Sequence, residues 1–190
     1  MKTRLGMDKI ASRQRFIDAG LEVPRSRVVE ASRAGSSAPK GLRFPLVVKP
    51  SAQGSSIGVS LVRRSCDLAA AVREAARHGD HVLAEEFIPG RELTVGVLGD
   101  DVLPVVEVIP KRAFFDFAAK YTAGMTEYQV PAFLAPETAH HVQDAGRRAH
   151  EALGCRHFSR TDLILSEAQI PVILEVNTIP GLTPTSMLPK

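Results

Sequence analysis

A chain of 190 residues, 44% hydrophobic and 24% charged, can bury one sizeable core or two small ones, and its composition is that of a soluble globular protein. A net charge of +3 suits an anionic small molecule but is too weak for a nucleic-acid surface, and with no Trp and no basic stripe interleaved with aromatics there is no base-stacking platform. No apolar run reaches membrane-spanning length, no signal-peptide core opens the chain, and Cys66 and Cys155 stand far apart outside any CxxC, which implies idle thiols in a cytoplasmic protein.

Met7-Asp8-Lys9 starts the first expected helix, which runs to about residue 19 with Asp8 as N-cap and Gly20 as the stop. Lys9 lies in the first turn, where the helix dipole disfavours a cation, so it is either simply exposed or holding an anion. A strand over 26–31 leads into a loop rich in Ser, Gly and Pro. Strands over 44–49 and 59–63 follow. A helix over 66–77 carries Leu68, Ala71, Val72, Ala75 and Ala76 on one stripe. Strands are then expected over 82–87, 92–98 and 102–109, with Gly99-Asp100 as a tight turn. Pro136 opens a helix to Leu153, ended by Gly154, and strands over 157–166 and 170–178 come last. Strand runs broken by single helices predict an α+β fold with mostly antiparallel sheets.

Lys49 ends an apolar strand and enters a loop of small residues, Ser51-Ala52-Gln53-Gly54-Ser55-Ser56-Ile57-Gly58. Gly54 and Gly58 let the backbone approach a ligand, Ser55 and Ser56 add hydroxyls, and backbone N–H groups of such a loop can wrap phosphate oxygens. It is not a Walker A loop, because Gly-Lys-Ser/Thr is missing and the next element is a strand. A flexible turn is the plainer reading; the lysine at the loop's entry argues for phosphate. Glu92 can accept both hydroxyls of a ribose, and Glu85 with the backbone beside it can meet an adenine edge. Exposed acids at strand ends are the plainer reading of each. Lys120-Tyr121 follow an aromatic run and precede a Thr-Ala-Gly turn, which either joins the core or closes over a site. The six histidines form no ligand set.

The last two strands carry the strongest signal. Paired as a hairpin centred on Ala168 and Gln169, they set Asp162 opposite Glu175 and Arg160 opposite Asn177, and period-two alternation puts all four on one face. Two carboxylates, an amide oxygen and a guanidinium there suit Mg²⁺, which usually shares its shell with substrate phosphates. The plain alternative is a solvated face; the Leu-Ile-Leu and Val-Ile-Leu runs around the triplets favour a core-packed hairpin. Just beyond, Gly181 frees an N–H for developing negative charge, and Ser186 adds a hydroxyl.

Val-Lys-Pro with Gly-Ser-Ser-Ile-Gly, Gly-Arg-Glu-Leu-Thr-Val, Ala-Lys-Tyr, Arg-Thr-Asp and Glu-Val-Asn-Thr-Ile-Pro-Gly-Leu-Thr occur in an order and spacing that resembles the D-alanine–D-alanine ligase family of the ATP-grasp superfamily. The likeness runs from Met7 to Pro189. It implies an α+β ATP-grasp fold, two lobes of mostly antiparallel sheet gripping ATP, one over residues 1–88 and one over 89–190. It implies Lys9 and Lys49 on nucleotide phosphates, with Ser51, Gly54, Ser55 and Ser56 over them. Glu85, Glu86, Phe87 and Ile88 would meet adenine and Glu92 the ribose. Asp162, Glu175 and Asn177 would hold two Mg²⁺ ions, with Mn²⁺ allowed in their place.

The same resemblance puts Lys120, with Tyr121 beside it, at the transferred phosphate. Arg160 and the Gly181 N–H would stabilise the tetrahedral intermediate, and Ser186 and Met187 would take the carboxylate of the second D-alanine. The implied reaction joins two D-alanines through a D-alanyl phosphate, for a peptidoglycan precursor, with a homodimer allowed and no nucleic-acid or membrane partner. The family's N-terminal domain and closing C-terminal helix find no counterpart here. A non-catalytic Mg-ATP-binding fragment is therefore one alternative, and a D-lactate or D-serine ligase another. Lys120-Tyr121 favours the dipeptide ligase.

Overall fold

Asp8 Oδ1 accepts hydrogen bonds from Ile10 N (3.0 Å) and Ala11 N (3.1 Å) and so starts helix α1, Lys9–Asp18. The computed structural model describes residues 6–30, 37–54, 56–79, 81–111, 124–183 and 186–189. After α1 come β1 (Ser26–Val29), β2 (Leu46–Pro50), β3 (Ser60–Val62), α2 (Leu68–Ala76), β4 (Val82–Glu86) and β5 (Gly90–Leu98). Then follow β6 (Asp101–Val102), β7 (Val106–Pro110), β8 (Thr126–Gln129), α3 (Pro136–Ala152), β9 (Phe158–Ser166) and β10 (Pro171–Asn177). The strands form a four-stranded sheet, β1-β4-β2-β3, all antiparallel, and a six-stranded sheet, β10-β9-β5-β7-β8 with β6 on β5, in which β5 pairs antiparallel with β6, β7 and β9, and β9 with β10. The class is α+β, as expected. Among the described residues no helix is long and apolar enough to cross a membrane.

Two compact units divide the chain. One is Pro24–Ile88 with Pro110–Met125; the other is Met1–Val23 with Pro89–Ile109 and Thr126–Lys190. The linear division expected at residue 88 is corrected at α1, because Phe16 and Leu21 bury against Leu93, Leu163 and Ile173 in the six-stranded unit. In the other unit, Leu68, Ala71, Val72 and Ala75 fall at helical spacing on one face of α2 and pack on Leu46, Val48 and Val62.

Two strand expectations change. The strand over 102–109 splits into β6 and β7, which pair with β5 out of frame: Val102 faces Val97, but Val106 faces Thr94. Pro104 lies between them and has no N–H to give a ladder. β8 was not expected, since Thr126-Glu127-Tyr128-Gln129 has no apolar alternation; it is an edge strand.

The β9–β10 hairpin turns through a three-residue loop, Glu167-Ala168-Gln169, with Gln169 at φ 59° and Ser166 N donating to Ile170 O (3.0 Å). Near the loop Pro171 faces Leu165 and Ile173 faces Leu163; farther on, Glu175 faces Asp162 and Asn177 faces Arg160. The frame therefore slips by one residue at Leu174, a β-bulge. The hairpin centres on Ala168 alone, which corrects the expected two-residue centre. The bulge then restores the expected pairing of the four polar residues. It also lets Ile173 and Val176, three apart, both enter the core.

α3 covers this core with Val142, Ala145 and Ala149. Gly146 sits at the closest approach: a Cβ built there would lie 2.7 Å from Val95 Cβ. Next to it, His150 is buried with Nδ1 2.8 Å from Ser159 Oγ, a structural placement. Replacing Gly146 by Ala sets a helix-propensity gain of about 1 kcal/mol against an overpacking cost of about 1–3 kcal/mol. Val95 is β-branched and cannot swing clear, so a net loss is expected in urea melts; an unchanged or higher midpoint would refute the tight contact. Burial also lowers the His150 pKa. The stabilisation that neutral His150 contributes is complete above its unfolded value of about 6.5 and declines as pH falls below it. His150→Gln should flatten that part of the stability–pH curve.

Candidate active site

The Leu174 bulge turns Glu175 and Asn177 to the sheet face opposite the core, where Asp162 and Arg160 of β9 and Thr94 of β5 also lie. Asp162 is the hub. Its Oδ1 accepts from Thr94 Oγ1 (2.8 Å) and Arg160 Nε (2.8 Å), and its Oδ2 accepts from Arg160 Nη2 (2.8 Å) and Asn177 Nδ2 (2.9 Å). Asn177 thus donates with its nitrogen, which leaves its amide oxygen as the metal-type donor. Glu175 Oε2 lies 3.3 Å from Lys9 Nζ, so the first-turn lysine of α1 holds an anion that belongs to the protein itself.

Burial opposes the charge on Arg160, yet attraction to Asp162, the two hydrogen bonds and the Glu175 charge outweigh it and raise the arginine's pKa. Burial pushes the Tyr128 phenol up; Arg160 opposes this, while Glu92 and Asp162 add to it. Tyr128 and Thr94 are site-face residues that sequence reasoning missed. Thr94 was within reach of it, two residues after Glu92 and hence on the same face. Tyr128 was not, because β8 carries no strand pattern.

Past β10, a Cβ built on Gly181 would lie 2.6 Å from Ser186 Oγ, so only glycine fits beside that hydroxyl. Ser186 Oγ also accepts from Thr183 N (3.2 Å) and stands 2.8 Å from Thr183 Oγ1. Met187 is buried. Its polar contribution to any ligand is therefore its backbone.

In the four-stranded unit, Val48 and Ala84 face the core, and Lys49 and Glu85 lie on the opposite face. The two form a salt bridge of 2.7 Å, with their side chains only 9% and 3% exposed. The plainer reading, exposed acids at strand ends, is overturned for Glu85. The N–H groups of Glu86 and Phe87 donate to Arg25 O (2.9 Å) and Pro45 O (3.0 Å). In the loop, Ser51 is buried with its N–H on His81 O (2.9 Å). Gly58, at φ 69°, has His78 packed where a Cβ would go, so it serves the fold. A Cβ on Gly54 would meet none of the described residues within 4 Å. Ser56 is left-handed at φ 57°. Ser55, Lys120 and Tyr121 lie outside the described residues.

The donor set of the acid face is two carboxylates and an amide; among the described residues no three His, Cys, Asp or Glu side chains converge as a metal cluster. Oxygen donors of that kind fit a hard divalent cation that fills its remaining positions with water or phosphate.

The family model described as D-ala D-ala ligase C-terminus matches residues 18–190. A D-alanine–D-alanine ligase of Geotalea uraniireducens is 43% identical over the whole chain, which covers 61% of that relative. The crystal structure of the VanG D-Ala:D-Ser ligase from Enterococcus faecalis superimposes with a TM-score of 0.82 at 33% identity, over 97% of this chain and 56% of that one. A D-alanine–D-alanine ligase from Bacillus anthracis complexed with ATP superimposes with a TM-score of 0.79 at 27% identity, over 97% and 59%. The chain thus spans about three fifths of the length of the relatives it matches.

Thr94 is the simplest site residue to test. Its hydroxyl is buried and donates to a carboxylate. Thr94→Val keeps the shape and removes the donor, so stability should fall by about 1–3 kcal/mol, and Thr94→Ser should recover most of it. Equal urea midpoints for the wild type and Thr94→Val would show that Asp162 does not depend on this bond.

Proposed function

The chain belongs to the D-ala D-ala ligase C-terminus family, and from that premise we propose that it carries the nucleotide, metal and second-substrate sites of an ATP-dependent D-alanine–D-alanine ligase. Its architecture is the ATP-grasp fold. The observation that carries the reading is the oxygen-donor face of Asp162, Glu175 and Asn177, set by the bulge and backed by Arg160. These three residues would hold Mg²⁺, which when bound neutralises charge on the transferring phosphoryl group.

The chain's own residues do the rest. Lys9 and Lys49 bind nucleotide phosphates, with the Ser51 to Gly58 loop over them and Lys120 at the transferred group. Glu85 to Ile88 meet adenine; the Glu86 and Phe87 N–H groups are already given to carbonyls, so neither of these two is the donor to the base. Glu92 takes the ribose. A D-alanine carboxylate oxygen attacks the γ-phosphorus and ADP leaves, forming an acyl phosphate. The amine of a second D-alanine attacks the carbonyl carbon and loses a proton, and phosphate departs. Arg160 and the Gly181 N–H face the oxyanion of that step, while Ser186 and the Met187 N–H take the second carboxylate. The work is positioning and charge neutralisation, which explains a site built from Lys, Arg and acids without a nucleophilic side chain.

D-alanine as acceptor is supported by the sequence relative named a D-alanine–D-alanine ligase at 43% identity; the solved structures do not separate it from D-serine, since a D-Ala:D-Ser ligase matches at 33% and a D-alanine–D-alanine ligase at 31%. A Mg-ATP-binding module without dipeptide formation is the second reading, because the matched relatives are longer. Calorimetry with Mg-ATP tests the shared part of both. Glu175→Gln should weaken Mg-dependent binding by about ten-fold or more with unchanged circular dichroism. Undiminished affinity would sink the assignment. Dipeptide formed in step with phosphate release selects the ligase over the binding module; phosphate release without dipeptide selects the module.

A further inference from the structure

Lys9 and Arg160 both sit on carboxylates that the proposed function gives to divalent cations, but they are held very differently. Asp162 accepts hydrogen bonds from Thr94, Asn177 and twice from Arg160, the last through the rigid guanidinium fork of a residue only two positions away. Glu175 is held by Lys9 through one ammonium at 3.3 Å. An ammonium is a compact charge on a flexible four-carbon stem and can leave without moving the backbone. Lys9 is also the first residue of α1, where the helix dipole disfavours a cation. Glu175 offsets that field. If another cation neutralises Glu175, Lys9 loses that offset, and phosphate oxygens can supply it instead.

We propose that Lys9 is an exchangeable counter-ion: it occupies the cation position at Glu175, is displaced when a divalent cation binds there, and is thereby released to phosphate oxygens. This rests on Glu175 being a metal ligand. The exchange couples the two ligands with opposite signs. Lys9 opposes a divalent cation that arrives alone and supports one that arrives with phosphate.

The test is Mn²⁺ binding without nucleotide, followed by electron paramagnetic resonance, for wild type, Lys9→Gln and Arg15→Gln, together with Mg-ATP calorimetry. Arg15 is an exposed cation on the same helix and controls for net charge. Lys9→Gln should bind Mn²⁺ about five-fold tighter or more yet bind Mg-ATP more weakly, while Arg15→Gln leaves both unchanged. Mn²⁺ affinity of Lys9→Gln equal to or below that of wild type overturns the exchange, as does an equal gain in Arg15→Gln. Should Lys9→Gln not fold, reductive ¹³C-methylation of the wild-type lysines decides: the Lys9 resonance should shift on Mg²⁺ alone, and a resonance that does not move overturns the proposal. Glu175→Gln separates the two layers. Unchanged Mn²⁺ binding in that variant defeats the metal reading itself, whereas lost binding there with no gain in Lys9→Gln defeats only the exchange.

Discussion

The one-residue slip at Leu174 sets both faces of the last hairpin at once. With it, Val176 joins Ile173 in the core, and Glu175 and Asn177 point to the opposite face beside Asp162. Without it, the strict period of two would turn Val176 out and bring Glu175 in against Leu163 and Val142. A carboxylate buried there without a partner would be penalised by several kcal/mol, so the core and the polar face favour the same register. The polar face is therefore built by the same constraint that builds the core, and depends on no separate arrangement.

What that face then requires is charge balance. Asp162 and Glu175 are screened little at partial burial, and each is met by a cation of the same unit, Arg160 and Lys9. The four-stranded unit repeats the device with Lys49 and Glu85, at deeper burial. Such pairs are weak evidence for stability, because desolvation offsets most of their attraction. Apolar pairs of similar volume would hold these sheets together as well. A preorganised set of charges is what an anionic, metal-carrying ligand needs, and this suits a fold whose relatives bind ATP. The same burial makes single substitutions at Lys49 or Glu85 poor functional probes, since each would strand a buried charge worth about 3–5 kcal/mol.

Packing of the helices fixes the sheet beneath these charges. Gly146 lets α3 come down onto Val95, and the Thr161 hydroxyl then reaches Gly146 O at 3.3 Å. Thr161 lies between Arg160 and Asp162 and faces the other way, so this contact anchors the strand whose outward residues form the hub. On the outer face, Gly96 leaves room for Leu188, which seats that residue against β5. Both glycines are demanded by close approach and not by unusual backbone angles.

Local chemistry made much of this legible in the sequence. Asp8 capping α1, Gly20 and Gly154 ending helices, and the stripe on α2 are short-range effects of a few neighbouring residues, and the sequence by itself determined them. It also singled out Arg160, Asp162, Glu175 and Asn177 as polar residues set within apolar strands; their common face came with the bulge. Only the tertiary structure decided the rest. The Leu174 bulge answers to which residues the core can bury, the split at Pro104 to which partner strand lies alongside, and β8 to an edge that needs pairing despite its polar residues. The pairing of Lys9 with Glu175 and of Lys49 with Glu85 joins positions 166 and 36 residues apart. No local rule sees such contacts, because they exist only once the chain has closed those loops and excluded water around the charges.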